Sequence, residues 1–244
     1  MQRTLLGMLT PSSNTVLEPY TSAILRDLMP AVSAHFQRFT VKEISLSESA
    51  LAQFDPAPQL DAARLLSDAH MDVIAWNGTS SSWLGFDADR RLCAAITEAT
   101  GIPATSSVLA LNEVLERTGV KRLGLVTPYL DDIQAAIVDN YRREGVEVVA
   151  ERHLNDRGNF SFSEYDEQTL AEMVREVARA EPEAITILCT NLRGAGIVEE
   201  LERELGIPIY DSVSVTVWKS LLLAGKDPSA INGWGQLFHD PRLG

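Results

Sequence analysis

The sequence predicts an α/β fold made of two pseudo-symmetric, Rossmann-like halves, each a parallel sheet flanked by helices, with the functional site in the cleft between them. Two observations support this prediction. Short apolar segments alternate with longer stretches whose apolar residues recur every three or four positions, the pattern of strands joined by amphipathic helices. Several short motifs also occur twice in the same order. Such alternation favours parallel sheets covered on both faces.

The elements follow from the spacing of apolar residues along the chain. Short apolar runs predict strands at Leu5–Leu9, Asp72–Trp76, Leu123–Val126, Val146–Val149 and Ile185–Leu188. Helical spacing predicts helices at Leu17–Leu28, Pro58–Ala69, Asp87–Ala99, Val108–Thr118, Leu130–Glu144, Glu167–Ala180 and Ala195–Leu205.

The repeated motifs relate the first part of the chain to the second. "LLGMLTPSS" (5–13) is similar to "RLGLVTPYL" (122–130), and "GIPATSS" (101–107) is similar to "GIPIYDS" (206–212). Between these pairs, "VIAWNGTS" and "ITILCTNL" occupy corresponding places. The motifs therefore indicate a duplicated unit. The alternative is one larger sheet with two unrelated turns of similar chemistry.

The duplication predicts two domains that face each other. The first spans residues 1–112 and is joined by the C-terminal segment 214–244; the second spans 113–213. Strand ends of both halves would then meet in one cleft. In that arrangement Gly78 and Cys189 hold corresponding positions on opposite walls.

Composition limits the classes of function. The chain has 244 residues, 45% hydrophobic and 23% charged, as expected of a globular protein with a sizeable core. Its net charge of −13 argues against a nucleic-acid or anionic membrane partner. We find neither a signal peptide nor an 18-residue apolar run. The two cysteines are too few for a disulfide scaffold and fit a cytoplasmic protein, and the four scattered histidines predict no metal site.

Cys189 is the first candidate for chemistry. It follows a predicted strand and precedes a predicted helix, together with Thr190 and Asn191, which can contact a ligand. A helix N-terminus would lower the pKa of the thiol. The alternative is a small core cysteine, which is the prediction for Cys93 in the middle of a helix.

Hydroxyl and amide side chains follow other predicted strands. Thr79 and Ser80 can donate to a carboxylate or oxyanion, or instead cap the next helix. Ser13 and Asn14 form a similar polar turn after the first strand.

In the second half, Tyr129 takes the place equivalent to this polar turn, and brings a phenolic hydroxyl to the cleft. Asn159 is either a ligand contact or part of an ordinary surface turn. Arg193 fits an exposed helix better than a carboxylate partner. The indoles of Trp76 and Trp83 fit either the cleft wall or the core.

These motifs point to a family. "TPSSN", "NGTSSS", "TPY" and "CTN", in this order, resemble the aspartate/glutamate racemase superfamily, and within it the maleate cis–trans isomerase and arylmalonate decarboxylase branch. The similarity runs over essentially the whole chain, including the closing "GWGQLF". It implies an enzyme without a cofactor, a small carboxylic or dicarboxylic acid as substrate, and an active site between the halves. A homo-oligomer is a further expectation for an α/β enzyme of this size.

The sequence departs from the two-cysteine pattern of the superfamily's racemases. Gly78 replaces the first-half cysteine, and only Cys189 matches. A Gly-Thr-Ser turn with one cysteine resembles the arylmalonate decarboxylases, whereas Asn14 and Asn159 resemble carboxylate-binding asparagines of the maleate isomerases. We interpret Gly78 as leaving space where relatives keep a thiol.

The resemblance therefore implies decarboxylation of a substituted malonate. Thr79, Ser80 and Tyr129 would stabilise an enediolate, and Cys189 would protonate it. Substrate binding is assigned to Ser13, Asn14, Gly78, Asn159, Thr190 and Asn191. Two alternatives stay open: isomerisation or racemisation by the same site, and carboxylate binding by a two-lobed protein that is not an enzyme.

Overall fold

Two parallel four-stranded sheets form the centre of the computed structural model, which describes residues 3–41 and 56–244. The first sheet contains β1 (Thr4–Pro11), β2 (Val32–Phe39), β3 (Val73–Trp76) and β4 (Ala104–Ser106). The second contains β5 (Arg122–Thr127), β6 (Glu147–His153), β7 (Ala184–Ile187) and β8 (Ile209–Asp211). The two sheets have the same strand order, β2-β1-β3-β4 and β6-β5-β7-β8. The predicted fold class of two α/β halves is confirmed.

Helices cover the faces of both sheets. They are α1 (Leu17–Ile24), α2 (Pro56–Ser67), α3 (Ser81–Leu84), α4 (Asp87–Thr100), α5 (Ser107–Thr118), α6 (Asp131–Arg143), α7 (Glu167–Ala178), α8 (Val198–Leu205) and α9 (Ser212–Leu223). Strands β3 and β7 are fully buried and the helices beside them are amphipathic. This explains why short, wholly apolar segments alternate in the sequence with stretches whose apolar residues recur every three or four positions. In the described ranges, no helix is long and apolar enough to cross a membrane.

The repeated Gly-Ile-Pro motif has the same structural role in both halves. Gly101 follows α4 with a φ of 73°, and Gly206 follows α8 with a φ of 67°. This left-handed conformation ends a helix, and glycine adopts it without the steric cost of a side chain. Each glycine is followed within three residues by a short strand, β4 or β8.

The predicted elements are found, and two helices and one strand differ from their predicted bounds by more than two residues at one end. The predicted helix Leu17–Leu28 is too long, since α1 ends at Ile24 and Arg26–Leu28 forms a separate 3-10 turn. The predicted helix Ala195–Leu205 begins with a 3-10 turn, and its α-helical part starts at Val198. Conversely, β6 extends to His153, four residues beyond its predicted end.

Strands β2, β4 and β8 and helices α3 and α9 are missing from the prediction. Two of those strands have only three residues each. Helix α9 follows the second sheet but packs against α1, α5 and the strands β3 and β4 of the first half. The domain boundaries given above stay a prediction, and residues 1, 2 and 42–55 of the first unit lie outside the described residues.

Candidate active site

A small cavity lies where the carboxyl ends of the two sheets meet. Its volume is about 30 Å³, enough for one or two water molecules. The carboxyl ends of β1, β2, β3, β5 and β7 with the turns after them, and the loop after β6, provide its walls, formed by Pro11, Val41, Trp76, Gly78, Thr79, Ser80, Trp83, Tyr129, Asn159, Phe162, Cys189 and Thr190. None of these described lining residues carries a charged side chain. The cavity thus contains hydroxyl, amide and thiol groups among apolar walls.

Seven of the ten predicted site residues line this cavity: Gly78, Thr79, Ser80, Tyr129, Asn159, Cys189 and Thr190. The other three, Ser13, Asn14 and Asn191, are not among the lining residues. Their direct contact with a substrate stays a prediction.

Thr79, Tyr129 and Cys189 form a chain of polar groups across the cleft. Thr79 Oγ1 and the Tyr129 hydroxyl share a short hydrogen bond of 2.5 Å. The Tyr129 hydroxyl also interacts electrostatically with the Cys189 thiol. The first half therefore contacts the second through groups that can pass or stabilise charge, with Tyr129 at the centre.

The turn after β3 leaves its hydroxyl groups free for this role. Ser80 immediately precedes α3 but makes no side-chain capping bond to it. Thr79 contributes its carbonyl to that helix start, accepting from the backbone N–H and hydroxyl of Ser82, while its own hydroxyl points to Tyr129. The hydroxyls of Thr79 and Ser80 therefore do not cap α3, and the helix-capping alternative is wrong.

The Cys189 thiol is held in its protonated form. Burial raises its pKa to about 12, although the backbone N–H of Asn191, 3.4 Å from Sγ, and the Tyr129 hydroxyl oppose the rise. The predicted lowering of this pKa is wrong. No α-helix starts directly behind the thiol, since α8 begins only at Val198, and removal from water outweighs the nearby N–H groups.

Asn14 and Thr190 join the two halves beneath the cavity. Thr190 Oγ1 donates to the carbonyl of Asn77 at 3.0 Å and accepts from Asn14 Nδ2 at 3.2 Å. Asn14 Oδ1 accepts from the backbone N–H groups of Val16 and Leu17 at the start of α1. All these side chains are almost fully buried, so the bonds fix the turn after β7 relative to the first half.

Asn191, Asn159 and Ser13 form a second connection. Asn191 Oδ1 accepts from the backbone N–H of Thr15 at 3.0 Å, and its Nδ2 donates to the Asn159 carbonyl at 2.5 Å. Asn159 Nδ2 donates to Ser13 Oγ at 2.9 Å. Asn159 is only 6% exposed, so the surface-turn alternative does not describe it. Arg193 donates to the carbonyls of Glu164 and Tyr165 and does not line the cavity.

Aromatic rings surround the Tyr129 hydroxyl. The Tyr129 ring packs against Trp83 at 5.0 Å and, edge to face, against Phe162 at 5.8 Å between centroids. Phe162, Pro11 and Val41 are lining residues that the sequence prediction missed. A signal existed for two of them: Pro11 belongs to the repeated Thr-Pro motif, and Phe162 lies three residues after Asn159.

The space beside Gly78 is filled. A Cβ atom built on Gly78 would lie 1.9 Å from Cζ2 and 2.4 Å from Cε2 of Trp76, closer than folded proteins allow. The interpretation that Gly78 leaves open space is therefore wrong. The glycine is needed because the indole of Trp76 packs directly on its Cα; its φ is not in the positive range.

Asp211 is a titratable group next to the site that sequence reasoning missed. It is fully buried at the end of β8, and Oδ1 accepts from the backbone N–H groups of Val213 and Ser214 at the start of α9. Among the described residues, Oδ2 has no hydrogen-bond partner. Burial raises the pKa of this carboxyl to about 7, and its negative charge contributes to the raised pKa of Cys189.

Comparison with known proteins identifies the family. The arylmalonate decarboxylase family model matches residues 30–238. Arylmalonate decarboxylase from Bordetella bronchiseptica is 31% identical over 184 residues, covering 74% of this chain and 77% of that protein. The chain belongs to the arylmalonate decarboxylase family.

This chain is also similar to maleate isomerases. That of Geobacillus stearothermophilus is 24% identical over 226 residues, or 88% of this chain and 90% of that protein. The crystal structure of the Pseudomonas putida S16 maleate isomerase Iso(C→A variant) with maleate superposes with a TM-score of 0.89 at 24% identity, covering 99% of each chain. The relatives are thus enzymes of two kinds, a lyase and isomerases, that share this fold. Within the described residues, no group of three His, Cys, Asp or Glu side chains is placed to hold a metal ion.

Proposed function

We propose that this protein is a cofactor-independent decarboxylase of a malonate-type dicarboxylic acid, with Cys189 as the proton donor. The supporting observation is the asymmetry of the cavity: of the chain's two cysteines only Cys189 lines it, and the corresponding position of the other half is a glycine covered by an indole. Decarboxylation requires one proton donor. Racemisation through two opposed thiols requires a second, which the cavity lacks.

The reaction breaks the bond between the α-carbon and one carboxyl group. The electron pair of this bond forms an enediolate with the other carboxyl group as CO2 leaves, and the Cys189 S–H then protonates the α-carbon. The resulting thiolate takes a proton from water. Because its pKa is raised to about 12, the thiol is protonated at neutral pH and acts as an acid rather than a nucleophile.

Two parts of the cavity treat the two carboxyl groups differently. Hydroxyls of Thr79, Ser80 and Tyr129 donate to the retained carboxyl group, whose charge grows in the transition state, and each such donor is worth roughly 3–4 kcal/mol. The departing carboxylate lies against apolar side chains such as Trp83 and Phe162, where loss of hydration favours neutral CO2.

The remaining predicted binding residues support this arrangement. Asn159 and Thr190 contact the substrate or its waters from the cavity wall. The other three act indirectly, through hydrogen bonds to these two wall residues. Asn14 bonds to Thr190, and both Ser13 and Asn191 bond to Asn159.

Isomerisation of maleate is the second candidate, favoured by the close superposition on a maleate isomerase. The two reactions differ in product mass, because an isomerase conserves it and a decarboxylase loses CO2. A carboxylate-binding protein would show neither reaction.

The test compares Cys189→Ala with the parent on methylmalonate, malonate and maleate. We expect CO2 release from a malonate by the parent, one deuterium at the product α-carbon in D2O, and loss of turnover in Cys189→Ala. Cys93→Ala, a buried thiol on α4 outside the cavity, is the matched control and should keep its activity. Turnover in Cys189→Ala within tenfold of the parent would contradict the proposal, as would conversion of maleate without loss of mass.

A further inference from the structure

Trp76 and any side chain at position 78 exclude each other. The indole is 1% exposed and packs on the Cα of Gly78, so even a methyl group there would lie 1.9 Å from Cζ2 and 2.5 Å from Cη2. Phe39 of β2 also packs against the indole, with 5.1 Å between ring centroids. The ring is therefore in contact with β2 and with the turn that contains Gly78.

Trp76 also separates two spaces. On one side it lines the cavity of about 30 Å³ with Cys189. On the other side it lines a cleft of about 320 Å³ between α2, α3 and α4. Ser80 is the other residue that contributes to both walls. Apolar groups of Leu84, Leu92 and Ala95 line much of the larger cleft.

The size of the larger cleft matters for ligand binding. About 300 Å³ is the lower end of the volume of small-molecule pockets. A phenyl group pointing from the cavity toward Gly78 would meet the indole, whereas the same group would have room if the indole were absent.

We propose that Trp76 is the specificity-determining residue of this site: it restricts the substrate to malonates with a small α-substituent, and its truncation joins the cavity to the larger cleft. This inference rests on the proposed decarboxylase function. We therefore infer that the α-carbon of the natural substrate carries hydrogen or a short aliphatic group, not an aryl ring, where it faces Gly78.

The kinetic test is the kcat/KM ratio for methylmalonate over phenylmalonate. We expect the parent to favour methylmalonate and Trp76→Leu to shift the ratio at least about 10-fold toward phenylmalonate, the effect of a small steric change in a pocket. Trp234→Leu is the control: its ring packs on Tyr20, outside the cavity, and should leave the ratio unchanged. An unchanged ratio in Trp76→Leu would overturn the inference.

A binding test separates this inference from the proposed function. Phenylmalonate is titrated by calorimetry into Cys189→Ala and into Cys189→Ala with Trp76→Leu, neither of which needs turnover. Tighter binding to the double variant supports the role of Trp76 even if the parent decarboxylates nothing. Equal binding overturns it even if the parent is an active decarboxylase.

A stability test addresses the packing itself. Gly78→Ala should lower Tm by roughly 5–10 °C in the parent, the effect of overpacking a core in a chain of this size, and by much less in the Trp76→Leu background. If Gly78→Ala alone fails to fold, folding of the double variant is the expected rescue. An equal loss of Tm in both backgrounds would show that contact with the Trp76 indole is not the reason why position 78 must be glycine.

Discussion

The Tyr129 hydroxyl lies between the hydroxyl of Thr79 and the thiol of Cys189, and it is almost fully buried. Burial raises its pKa well above the usual value for tyrosine, so it is a neutral donor under all ordinary conditions. A neutral donor stabilises a growing negative charge without repelling an anionic substrate. In the proposed reaction, we therefore expect the Tyr129 hydroxyl to be the most important side-chain donor to the transition-state charge.

We predict that Tyr129→Phe lowers kcat by roughly 100-fold with a much smaller change in KM, because one donor to the transition-state charge is lost. Steady-state kinetics on the malonate substrate measures both values. Tyr20→Phe removes a hydroxyl that donates to Glu167 instead, outside the cavity, and should change neither. A raised KM with unchanged kcat would assign the Tyr129 hydroxyl to ground-state binding.

Asp211 makes the stability of the fold depend on pH. Its pKa is raised from 3.8 to about 7 in the folded state, so folding favours the protonated carboxyl. This stabilising contribution is complete below pH 4 and is lost as the pH rises toward 7. Asp211→Asn keeps a side-chain oxygen for the start of α9 and removes the titration.

We therefore predict that Asp211→Asn gains stability relative to the parent by about 2–3 kcal/mol between pH 5 and pH 8. Urea unfolding at both pH values measures the difference. Asp166→Asn is a matched control, because Asp166 caps α7 in the same way but is exposed and has a lowered pKa. Its difference from the parent should be the same at both pH values. A constant difference for Asp211→Asn as well would contradict the prediction.

The sequence was sufficient to predict most of the polar side chains that line the cavity but not how they are packed. Thr79, Tyr129 and Cys189 follow strands of parallel sheets, and such strands end at one edge. The raised pKa of Cys189 depends instead on burial of the thiol in the folded chain, which no local motif specifies. The contact of Trp76 with Gly78 depends on the direction of one indole ring, which no local pattern specifies.

At the scale of single elements, the polar turn after β1 illustrates how a predicted ligand contact can have a structural role. Asn14 Oδ1 accepts from the N–H groups of Val16 and Leu17 at the start of α1, which have no acceptor within the helix itself. Its Nδ2 donates to Thr190 in the other half. One side chain thus begins a helix and positions the turn that follows Cys189.

We predict that Asn14→Ala lowers the free energy of unfolding by about 1–3 kcal/mol, through loss of the helix cap and of a buried hydrogen bond. Urea unfolding is the measurement, with KM determined on the same preparation. Ser13→Ala, which removes the neighbouring half-exposed hydroxyl, should cost less. Unchanged stability with a strongly raised KM would instead make Asn14 a direct substrate contact.

Some helices and strands can be predicted from the sequence more readily than others. Helices α4 and α7 alternate between buried and exposed faces and were predicted almost to the residue. Helix α9 is buried over nearly its whole surface, so its apolar residues have no helical period to detect. The short strands β4 and β8 give too few residues for an alternation, although the repeated Gly-Ile-Pro motif precedes both.

At the scale of the whole molecule, buried polar contacts cross between the two sheets and their helices. Thr190 donates to the carbonyl of Asn77, and Asn140 of α6 donates to the carbonyl of Ser82 in α3. Asn14 Nδ2 donates to Thr190 Oγ1 at 3.2 Å. Since separation of the halves would leave such groups unpaired, the fold is expected to open as one unit.

We predict a single unfolding transition in which tryptophan fluorescence and far-UV circular dichroism have the same midpoint. The two probes report different parts: all four tryptophans, Trp76, Trp83, Trp218 and Trp234, lie within the predicted first unit and its C-terminal segment, whereas dichroism reports helices of both halves. Asn140→Ala removes one crossing hydrogen bond, costs about 1 kcal/mol, and should move both midpoints equally. A fluorescence midpoint that separates from the dichroism midpoint, or that moves alone in Asn140→Ala, would mean that the halves unfold independently.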